Sequence, residues 1–266
     1  MSNEPDPQKW TDKFPFSSCF QLIDGPSYQA WVERVCPQAT TLKPMCPSKI
    51  RHEGVPVGQY RFGLAKFPSH RMEHPQQGLL NSRIGRFMFM SDKFMNQKPV
   101  KVRSTLGIAQ GHKQSRIAFT TDVNIPALHN KAGDVVMSLA PMEVITQRRG
   151  VRTAKGRVLI GGLGMGWLTR KVCEKKSVKQ VTVWEKDPDV IEFFGKAIRK
   201  DFPDKLSICH GNVYEFIEDS GGQLVQSCET VLMDIWNDFG DAKYDRKFRD
   251  LAQRHPRVWA WGFHPS

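Results

Sequence analysis

The stretch GRVLIGGLGMGW, residues 156–167, decides how the second half of this chain folds. It holds five glycines, and four of them fall within six positions directly after the apolar run VLI. A short apolar run that ends in glycines is typical of a buried strand that turns into a helix. Glycine also lets a backbone turn sharply and approach a ligand closely. The stretch therefore predicts a strand, a tight loop over Gly162, Gly164 and Gly166, and a helix that follows.

Beyond this loop, predicted helices and strands alternate. The helices are GWLTRKVCEKK (166–176), DPDVIEFFGKAIRKDF (187–202), VYEFIED (213–219) and DAKYDRKFRDLAQRH (241–255). The strands are VTVWE (181–185), KLSICH (205–210), ETVLMDIW (229–236) and RVWAWGF (257–263). Such alternation implies a parallel sheet covered by helices. We predict an α/β fold, a Rossmann-like, doubly wound, mostly parallel sheet that is short and ends after strand five.

The preceding residues differ in pattern, which predicts three regions. Residues 1–55 are rich in proline and polar residues and predict an irregular N-terminal segment, with CPQATTLKPMCPSK as a loop. Residues 56–140 predict a β-rich region of antiparallel strands, including RFMFMSD, RIAFTTDV and DVVMSLA. Residues 141–266 form the Rossmann-like domain. It opens with a short helix, in which Pro141 and Glu143 suit the first turn.

Composition narrows the classes of protein. No run of 18 apolar residues occurs and the N-terminus is polar, so we expect neither a membrane span nor a secretory signal, and a cytoplasmic protein. The net charge of +12 is uneven, because residues 1–150 carry +9 and the rest +3. This leaves nucleic acid open as a partner beside a plain basic surface. The spacing of Cys36, Cys46 and His52 fits no common zinc site, so no metal is predicted.

An acidic residue at the end of the next strand supports a nucleotide site. Glu185 lies 23 residues after Gly162, near the offset of about 20 at which an acid accepts hydrogen bonds from ribose hydroxyls. A surface acid at a strand end is the alternative. An NAD dehydrogenase is disfavoured, because its fingerprint is G-x-G-x-x-G and Gly166 falls one position early.

Four segments in order, VLIGGLGMG, VWEKDPDVIEFF, LSICHGNVYEFI and VLMDIW, resemble the class I S-adenosylmethionine-dependent methyltransferase fold. The set is most similar to the spermidine-synthase-like branch and covers residues 140–263. The resemblance implies that the loop glycines bind the methionyl part and ribose of S-adenosylmethionine. It also implies that Glu185 binds the ribose hydroxyls, that Lys186 flanks the adenine, and that Asn212 and Val213 lie beside it.

The resemblance also assigns residues to the substrate side. Asp234, at the carboxyl end of the fourth strand, would face the sulfonium and the substrate as base or positioning acceptor, and the alternative is a carboxylate that caps the next turn. Glu143 resembles the acid of the helix before the first strand. Trp236 could stack on a substrate ring or pack in the core. Asp238 remains from the acidic segment that follows strand four in the family.

Departures from the branch keep its reaction open. Met165 replaces the loop acid of polyamine synthases, and Asn212 replaces their adenine-side Asp. The leading hypothesis is a methyltransferase that uses S-adenosylmethionine on a small-molecule substrate. The alternatives are an aminopropyltransferase that uses decarboxylated S-adenosylmethionine, and a non-catalytic nucleoside-binding member. Neither the D/N-P-P-Y/F motif of amino-directed DNA methyltransferases nor the Pro-Cys of cytosine C5 enzymes is present. The sequence does not predict an oligomeric state.

Overall fold

The computed structural model describes residues 20–67, 83–84, 87–88, 116–219, 223–236 and 241–263. The chain divides into two compact units. The described residues up to Glu143, except Val57–Gln59, belong to an N-terminal unit. Val57–Gln59 and the residues from Val144 onward form the C-terminal unit. The units divide after Glu143, and the sequence predicts a boundary at residue 141.

The N-terminal unit is built on a mixed sheet. Its strands are β1 (Phe20–Ile23), β2 (Pro44–Met45), β3 (Val55–Val57), β4 (Tyr60–Phe67), β5 (Arg83–Ile84), β6 (Phe87–Met88), β7 (Arg116–Phe119), β8 (Val123–His129) and β9 (Val135–Ser138). The main sheet has the order β2-β4-β8-β9, with β3 also paired to β4. Strands β4, β8 and β9 are antiparallel, as predicted, whereas the β2–β4 and β1–β7 pairs are parallel.

Two helices of the N-terminal unit correct the prediction of an irregular segment over residues 1–55. They are α1 (Gly25–Val35) and α2 (Pro47–Glu53), and each has a proline at its first or second position. Proline interrupts a helix interior but suits the first turn, where its missing N–H costs no hydrogen bond. The carboxylate of Asp24 caps α1 by accepting from the N–H of Ser27 at 2.9 Å. The residues before position 20 lie outside the described residues.

Predicted strands of the N-terminal unit are shorter than expected. RIAFTTDV divides into β7 and the start of β8, and DVVMSLA contains β9. Of RFMFMSD the structure describes Phe87–Met88, which form β6. Helix α1 buries Tyr28, Trp31 and Val32 against this unit, and the Tyr28 hydroxyl donates to the carbonyl of Leu139 at 2.5 Å.

The C-terminal unit contains the predicted parallel sheet. Its strands are β10 (Gly156–Gly161), β11 (Val178–Glu185), β12 (Leu206–His210), β13 (Thr230–Met233) and β14 (Val258–Ala260). They lie in the order β12-β11-β10-β13-β14, and every pair is parallel. The predicted α/β fold class is confirmed. Because the order reverses at β10, right-handed connections carry helices to both faces of the sheet.

Most helices of this unit begin close to their predicted starts, and the helix Gln223–Ser227 was not predicted. They are α3 (Pro141–Thr153), which contains the boundary between the units, α4 (Trp167–Cys173), α5 (Pro188–Val190), α6 (Lys196–Asp201), α7 (Val213–Asp219), α8 (Gln223–Ser227) and α9 (Arg246–Arg254). The predicted helix 187–202 contains a π-helical segment, Ile191–Gly195, between α5 and α6. The predicted helix 241–255 is interrupted at Asp245, whose side chain caps α9.

The core of the C-terminal unit packs on its central strands. All four residues of β13 are buried, although the sequence predicted a longer strand over residues 229–236. Leu159 of β10 and Met233 of β13 form a cluster with Phe248 and Leu251 of α9. The central strands are therefore held rigidly by apolar contacts, and their carboxyl ends have fixed positions.

Candidate functional site

Three parallel strands end in register where the strand order reverses. Gly161 of β10 pairs with Trp184 of β11 and with Met233 of β13. The next residue of each strand forms what we call the edge row: Glu185, Gly162 and Asp234. In open parallel sheets, ligands bind at this place, beyond the carboxyl ends of the strands. The edge row therefore marks the candidate site.

Backbone hydrogen bonds continue the sheet as far as the edge row. The N–H of Gly162 donates to the carbonyl of Trp184, and the N–H of Asp234 donates to the carbonyl of Gly161, both at 2.8 Å. Gly162 has a φ of +89°, and an added Cβ would overlap the carbonyl oxygen of Asp234. Only glycine fits there without moving the end of β13.

The rest of the glycine loop exposes backbone and buries its side chains. Leu163 and Met165 are 3% and 2% exposed, whereas Gly164 is half-buried. Gly164 and Gly166 have φ values of +52° and +80°, and Gly166 precedes the first residue of α4. Met165, which stands where polyamine synthases have an acid, is a core residue here.

Glu185 fastens the loop to the second strand. Its side chain is 9% exposed. One carboxylate oxygen accepts from the N–H of Leu163 at 2.8 Å, and the other accepts from the N–H of Asp187 at 2.9 Å. A carboxylate oxygen can accept more than one hydrogen bond. Glu185 therefore stabilises the loop and keeps acceptor capacity for hydroxyl groups.

Asp234 occupies a different environment at the other end of the edge row. Its Oδ2 accepts from Nε2 of Gln147 on α3 at 2.9 Å, and Gln147 is 2% exposed. Burial, together with the smaller effect of the negative charge of Glu185, raises the pKa of Asp234 from 3.8 to about 7. A carboxyl group with a pKa near neutrality can take or give a proton under ordinary conditions.

The residues predicted to lie beside adenine occupy the ends of β11 and β12. Asn212 is exposed, and its Oδ1 accepts from the N–H of Tyr214 at 3.0 Å in the first turn of α7. The side chain of Val213 belongs to the apolar core. Lys186 is exposed, and its carbonyl oxygen lies 3.2 Å from Nε2 of His210. Asn212 and Lys186 thus share the carboxyl edge with Glu185, and Val213 offers only its backbone.

The segment after β13 is anchored by Asp245. Its Oδ2 accepts from the Trp236 indole N–H at 3.1 Å and from the Tyr214 hydroxyl at 2.9 Å. The Trp236 ring also packs edge-on against Phe248 at 5.2 Å. Trp236 is therefore tied into the packing of the C-terminal unit. Asp238, a predicted substrate residue, lies outside the described residues.

Glu143, the remaining predicted substrate residue, has partners within the N-terminal unit. Its carboxylate accepts from the backbone N–H of Ser138 at 2.7 Å and from the Ser138 hydroxyl at 2.6 Å. Its negative charge contributes to the raised pKa of Tyr28, after the larger effect of burial. These contacts connect β9 to the first turn of α3.

Two contacts at this edge escape sequence reasoning. Gln147 reaches Asp234 across 87 positions of the chain. The N–H of Gln59 donates to Oδ2 of Asp187 at 3.4 Å, and a Cβ on Gly58 would overlap the same carboxylate. The turn at Gly58 therefore lies directly beside the strand end that carries Glu185. The glycine at position 58, which has a φ of +56°, is a sequence signal for a turn. It does not indicate that the turn contacts Asp187.

The described part of the chain contains no group of three or more His, Cys, Asp and Glu side chains arranged to hold a metal ion. Within the same residues, no helix combines the length and the apolar character that a membrane crossing requires.

Comparisons with known proteins give distant structural likenesses. The chain is similar to the spermidine synthase of Thermotoga maritima, with 16% identity, a TM-score of 0.37, and 52% of each chain covered. It is similar to the 23S rRNA methyltransferase ErmE, with 20% identity, a TM-score of 0.28, and 43% of each chain covered. A methyltransferase from Geobacter sulfurreducens has 15% identity and a TM-score of 0.30, over 44% of this chain and 54% of that one.

These neighbours have the class I S-adenosylmethionine-dependent methyltransferase fold, the family whose motifs the sequence resembles. The chain spans about half the length of each neighbour. Because every TM-score is below 0.5, the fold is assigned from the strand order of the C-terminal unit and not from these likenesses. No protein-family model and no curated protein matches the chain.

Proposed function

We propose that the C-terminal unit binds S-adenosylmethionine at the edge row and transfers its methyl group to a small-molecule nucleophile. The observation that carries this proposal is the edge row itself. It sets two carboxylates, Glu185 and Asp234, on either side of a glycine at the point where the strand order reverses. Acids at both neighbouring strand ends suit a ligand that has hydroxyl groups at one end and a positive charge at the other.

The residues present fit such a nucleoside. Glu185 is buried and held by two backbone amides, so its oxygens are preset as acceptors for ribose hydroxyls. Gly164, half-buried and without a side chain, permits close approach of the methionyl part. Exposed Lys186 and Asn212 border the adenine end, where Asn212 offers an amide acceptor and donor. Val213 contributes its backbone, because its side chain is in the core.

Methyl transfer from S-adenosylmethionine requires few catalytic groups from the protein. S-adenosylmethionine supplies a methyl group already activated on a sulfonium. The protein has to align the nucleophile with this group and exclude competing water, which is an effect of proximity and orientation. Asp234 is the proposed base or positioning acceptor, because its pKa of about 7 suits proton transfer near neutral pH. Trp236 and Asp238 remain proposed substrate residues. Trp236 would act by holding the segment after β13 in place through its hydrogen bond to Asp245.

Aminopropyl transfer from decarboxylated S-adenosylmethionine is the second candidate. The acidic pair of the edge row favours it, since carboxylates attract cationic amines. Met165 opposes it, because the loop acid of polyamine synthases is replaced by an apolar side chain that is 2% exposed. Glu143 belongs to this hypothesis as well. Its carboxylate already accepts two hydrogen bonds from Ser138.

Isothermal titration calorimetry of the full chain tests the proposal. The ligands are S-adenosylmethionine, its decarboxylated form and S-adenosylhomocysteine. We expect S-adenosylmethionine to bind more tightly than the decarboxylated form, and the reverse preference would favour aminopropyl transfer. Absence of binding for all three would contradict the proposal. Binding of nucleic acid by the full chain, measured separately, would replace the small-molecule substrate by a nucleic acid.

A matched pair of variants locates the site. Gly164→Val places a branched side chain in the loop at a φ of +52°, and Gly156→Val does the same at the opposite end of β10 at a φ of +64°. An added Cβ on Gly156 meets the exposed Glu229 carboxylate, which can move away. We expect Gly164→Val to lose nucleoside binding and Gly156→Val to keep it, at similar thermal midpoints. Equal affinities would refute the assignment of the loop.

A further inference from the structure

One turn of the C-terminal unit comes from far upstream in the chain. We call Val57–Gln59, which end β3 and lead into β4, the inserted turn. These residues belong to the C-terminal unit, whereas their chain neighbours, Pro56 and Tyr60, belong to the N-terminal unit. Within the C-terminal unit, the inserted turn contacts the side chain of Asp187. Its partner is therefore only two residues beyond Glu185, the acid at the end of β11.

Gly58 lies directly against the Asp187 carboxylate. Its φ is +56°, and an added Cβ would overlap both carboxylate oxygens. Non-bonded heavy atoms pack at about 3.5–4.0 Å, so a side chain at position 58 would displace the carboxylate. The backbone N–H of Gln59 also donates to Oδ2 of Asp187, at 3.4 Å. The inserted turn thus needs glycine both for its backbone conformation and for its close approach to Asp187.

The Asp187 carboxylate is held from its other side by the helix that follows it. Its Oδ1 accepts from the N–H of Asp189 at 3.0 Å and from the N–H of Val190 at 3.4 Å, in the first turn of α5. Asp187 is 8% exposed. Because the carboxylate is buried and caps α5, it cannot move away from the inserted turn without losing these hydrogen bonds.

Asp187 is also one of the two donors that hold Glu185. Its backbone N–H donates to Oε1 of Glu185 at 2.9 Å, and the N–H of Leu163 donates to Oε2 at 2.8 Å. The strength of such hydrogen bonds depends on both distance and angle. A displacement of Asp187 therefore changes the position of Oε1 and leaves the donor at Oε2 in place.

We infer that Gly58, Gln59 and Asp187 are positioning residues that set how tightly the site binds the ribose of a nucleoside. This inference rests on the proposed function, in which Glu185 accepts hydrogen bonds from the ribose hydroxyls. The inserted turn fixes the Asp187 carboxylate, and the Asp187 amide fixes Oε1 of Glu185. A residue 127 positions before Glu185 in the chain thus determines the geometry of ribose binding.

Gly58→Ala tests the inference, with Gly156→Ala as the matched control. Gly156 has a similar φ of +64°, and an added Cβ there also overlaps a carboxylate, that of Glu229. Glu229 is exposed and lies at the opposite end of β10 from the glycine loop. The two variants therefore carry similar backbone strain, and Gly58→Ala alone displaces Asp187.

Calorimetry of the full chain compares S-adenosylhomocysteine with its 2′,3′-dideoxy analogue, which lacks the ribose hydroxyls. We expect Gly58→Ala to weaken the binding of S-adenosylhomocysteine about tenfold and that of the analogue less than twofold. Gly156→Ala should change both affinities less than twofold. Thermal melts of each variant show that it is folded. A purely structural loss would weaken both ligands alike and would overturn the inference.

Asp187→Ala and the double variant Gly58→Ala/Asp187→Ala test the path through Asp187. We expect Asp187→Ala to weaken S-adenosylhomocysteine and spare the dideoxy analogue. Without the carboxylate the Cβ at position 58 meets no obstacle there, so the double variant should bind within twofold of Asp187→Ala. Additive losses would overturn this path, as would wild-type affinity in Asp187→Ala.

The same titrations separate failure of the inference from failure of the proposed function. Unchanged affinities in Gly58→Ala, with S-adenosylhomocysteine bound by the wild type, would overturn the inference and leave the proposed function intact. Absence of S-adenosylhomocysteine binding in the wild type would overturn the inference. If S-adenosylmethionine and its decarboxylated form also failed to bind, the proposed function would be overturned as well.

Discussion

The two sides of Gly162 show how one sheet edge gives two carboxylates different properties. On the β11 side, Glu185 accepts two backbone N–H groups at 2.8 and 2.9 Å. On the β13 side, Asp234 accepts from the side chain of Gln147, and burial raises its pKa to about 7. Backbone donors fix the first acid in place as part of the loop. The second acid is held by one side-chain amide and has a raised pKa.

The difference follows from local backbone geometry. Beyond β11 the chain turns into α5, and the amides of the turn and of the neighbouring loop point at Glu185. Beyond β13, residues 234–236 have no regular secondary structure, and Asp245 holds Trp236. The donor to the Asp234 carboxylate in the described part of the chain is the side chain of Gln147. Pairs of acids in unlike environments are the usual basis for dividing binding and proton transfer between two side chains.

Gly162→Ala should have the largest effect, because it disturbs the loop bound by Glu185 and the strand end that carries Asp234 at the same time. The positive φ costs about 1–2 kcal/mol for a residue with a Cβ, and the overlap with the Asp234 carbonyl displaces the end of β13. We expect a loss of at least about 4 kcal/mol in the free energy of unfolding and no nucleoside binding. Urea unfolding and calorimetry measure these quantities.

Gly195→Ala is the matched control for this substitution. Gly195 has a helical φ of −68°, and an added Cβ would lie 3.1 Å from the flexible end of Ile208. We expect its free energy of unfolding to change by less than about 1 kcal/mol. A similar loss in both variants would mean that glycine at position 162 has no special steric role.

Asp234→Asn should show the difference between the two carboxylates in the pH dependence of the free energy of unfolding. Because the folded pKa is raised, the folded protein keeps a proton that the unfolded chain loses above about pH 4, so wild-type stability falls as pH rises towards 7. The variant lacks this penalty. We expect it to equal the wild type below pH 4 and to exceed it by roughly 4 kcal/mol at pH 8.

Urea unfolding at a series of pH values measures the difference. Asp204→Asn, at an exposed turn residue, serves as the control for the loss of one carboxylate. A constant offset between Asp234→Asn and the wild type, independent of pH, would argue against a raised pKa for Asp234.

Glu185→Gln should affect both the glycine loop and Asp234, but less strongly than the two substitutions above. Glutamine has one acceptor oxygen for two backbone donors, so either Leu163 or Asp187 is left with an unpaired buried N–H. We expect a loss of about 2 kcal/mol in the free energy of unfolding. Removal of the charge should also lower the pKa of Asp234, which carbon-13 NMR of the aspartate carboxyl groups can follow. An unchanged Asp234 titration would contradict the coupling of the two acids.

Trp236→Phe should have the smallest effect. It removes the indole donor to Asp245 and keeps an aromatic ring against Phe248. We expect a loss of about 1 kcal/mol in the free energy of unfolding, with S-adenosylmethionine affinity changed by less than twofold. Thermal melts and calorimetry provide the measurements. A tenfold loss of nucleoside affinity would instead place the Trp236 ring against the nucleoside.

Local sequence signals predicted most of the C-terminal unit. Apolar runs ending at Gly161, Glu185 and Met233 marked central strands, because parallel strands are buried on both faces and show nearly continuous apolar sequence. Strand ends were less predictable. Asp234 was placed within a strand, although the last strand residue is Met233.

Helices that begin with proline were missed in the N-terminal unit. The sequence predicts an irregular segment over residues 1–55 from its prolines, yet Pro26 and Pro47 each stand in the first turn of a helix. Contacts distant in sequence were also beyond reach. Gln147 and Asp234 are 87 positions apart, and no local pattern marks a buried glutamine as the partner of one acid.

NMR spectroscopy of the full chain tests the central claim most directly. Backbone amide spectra are recorded with and without S-adenosylmethionine. The account predicts that the largest shifts fall on the amides of Gly162 to Gly166 and of Asp234, with smaller shifts at Lys186 and Asn212. Saturable binding with shifts confined to other parts of the chain, or spectra unchanged at millimolar nucleoside, would contradict it.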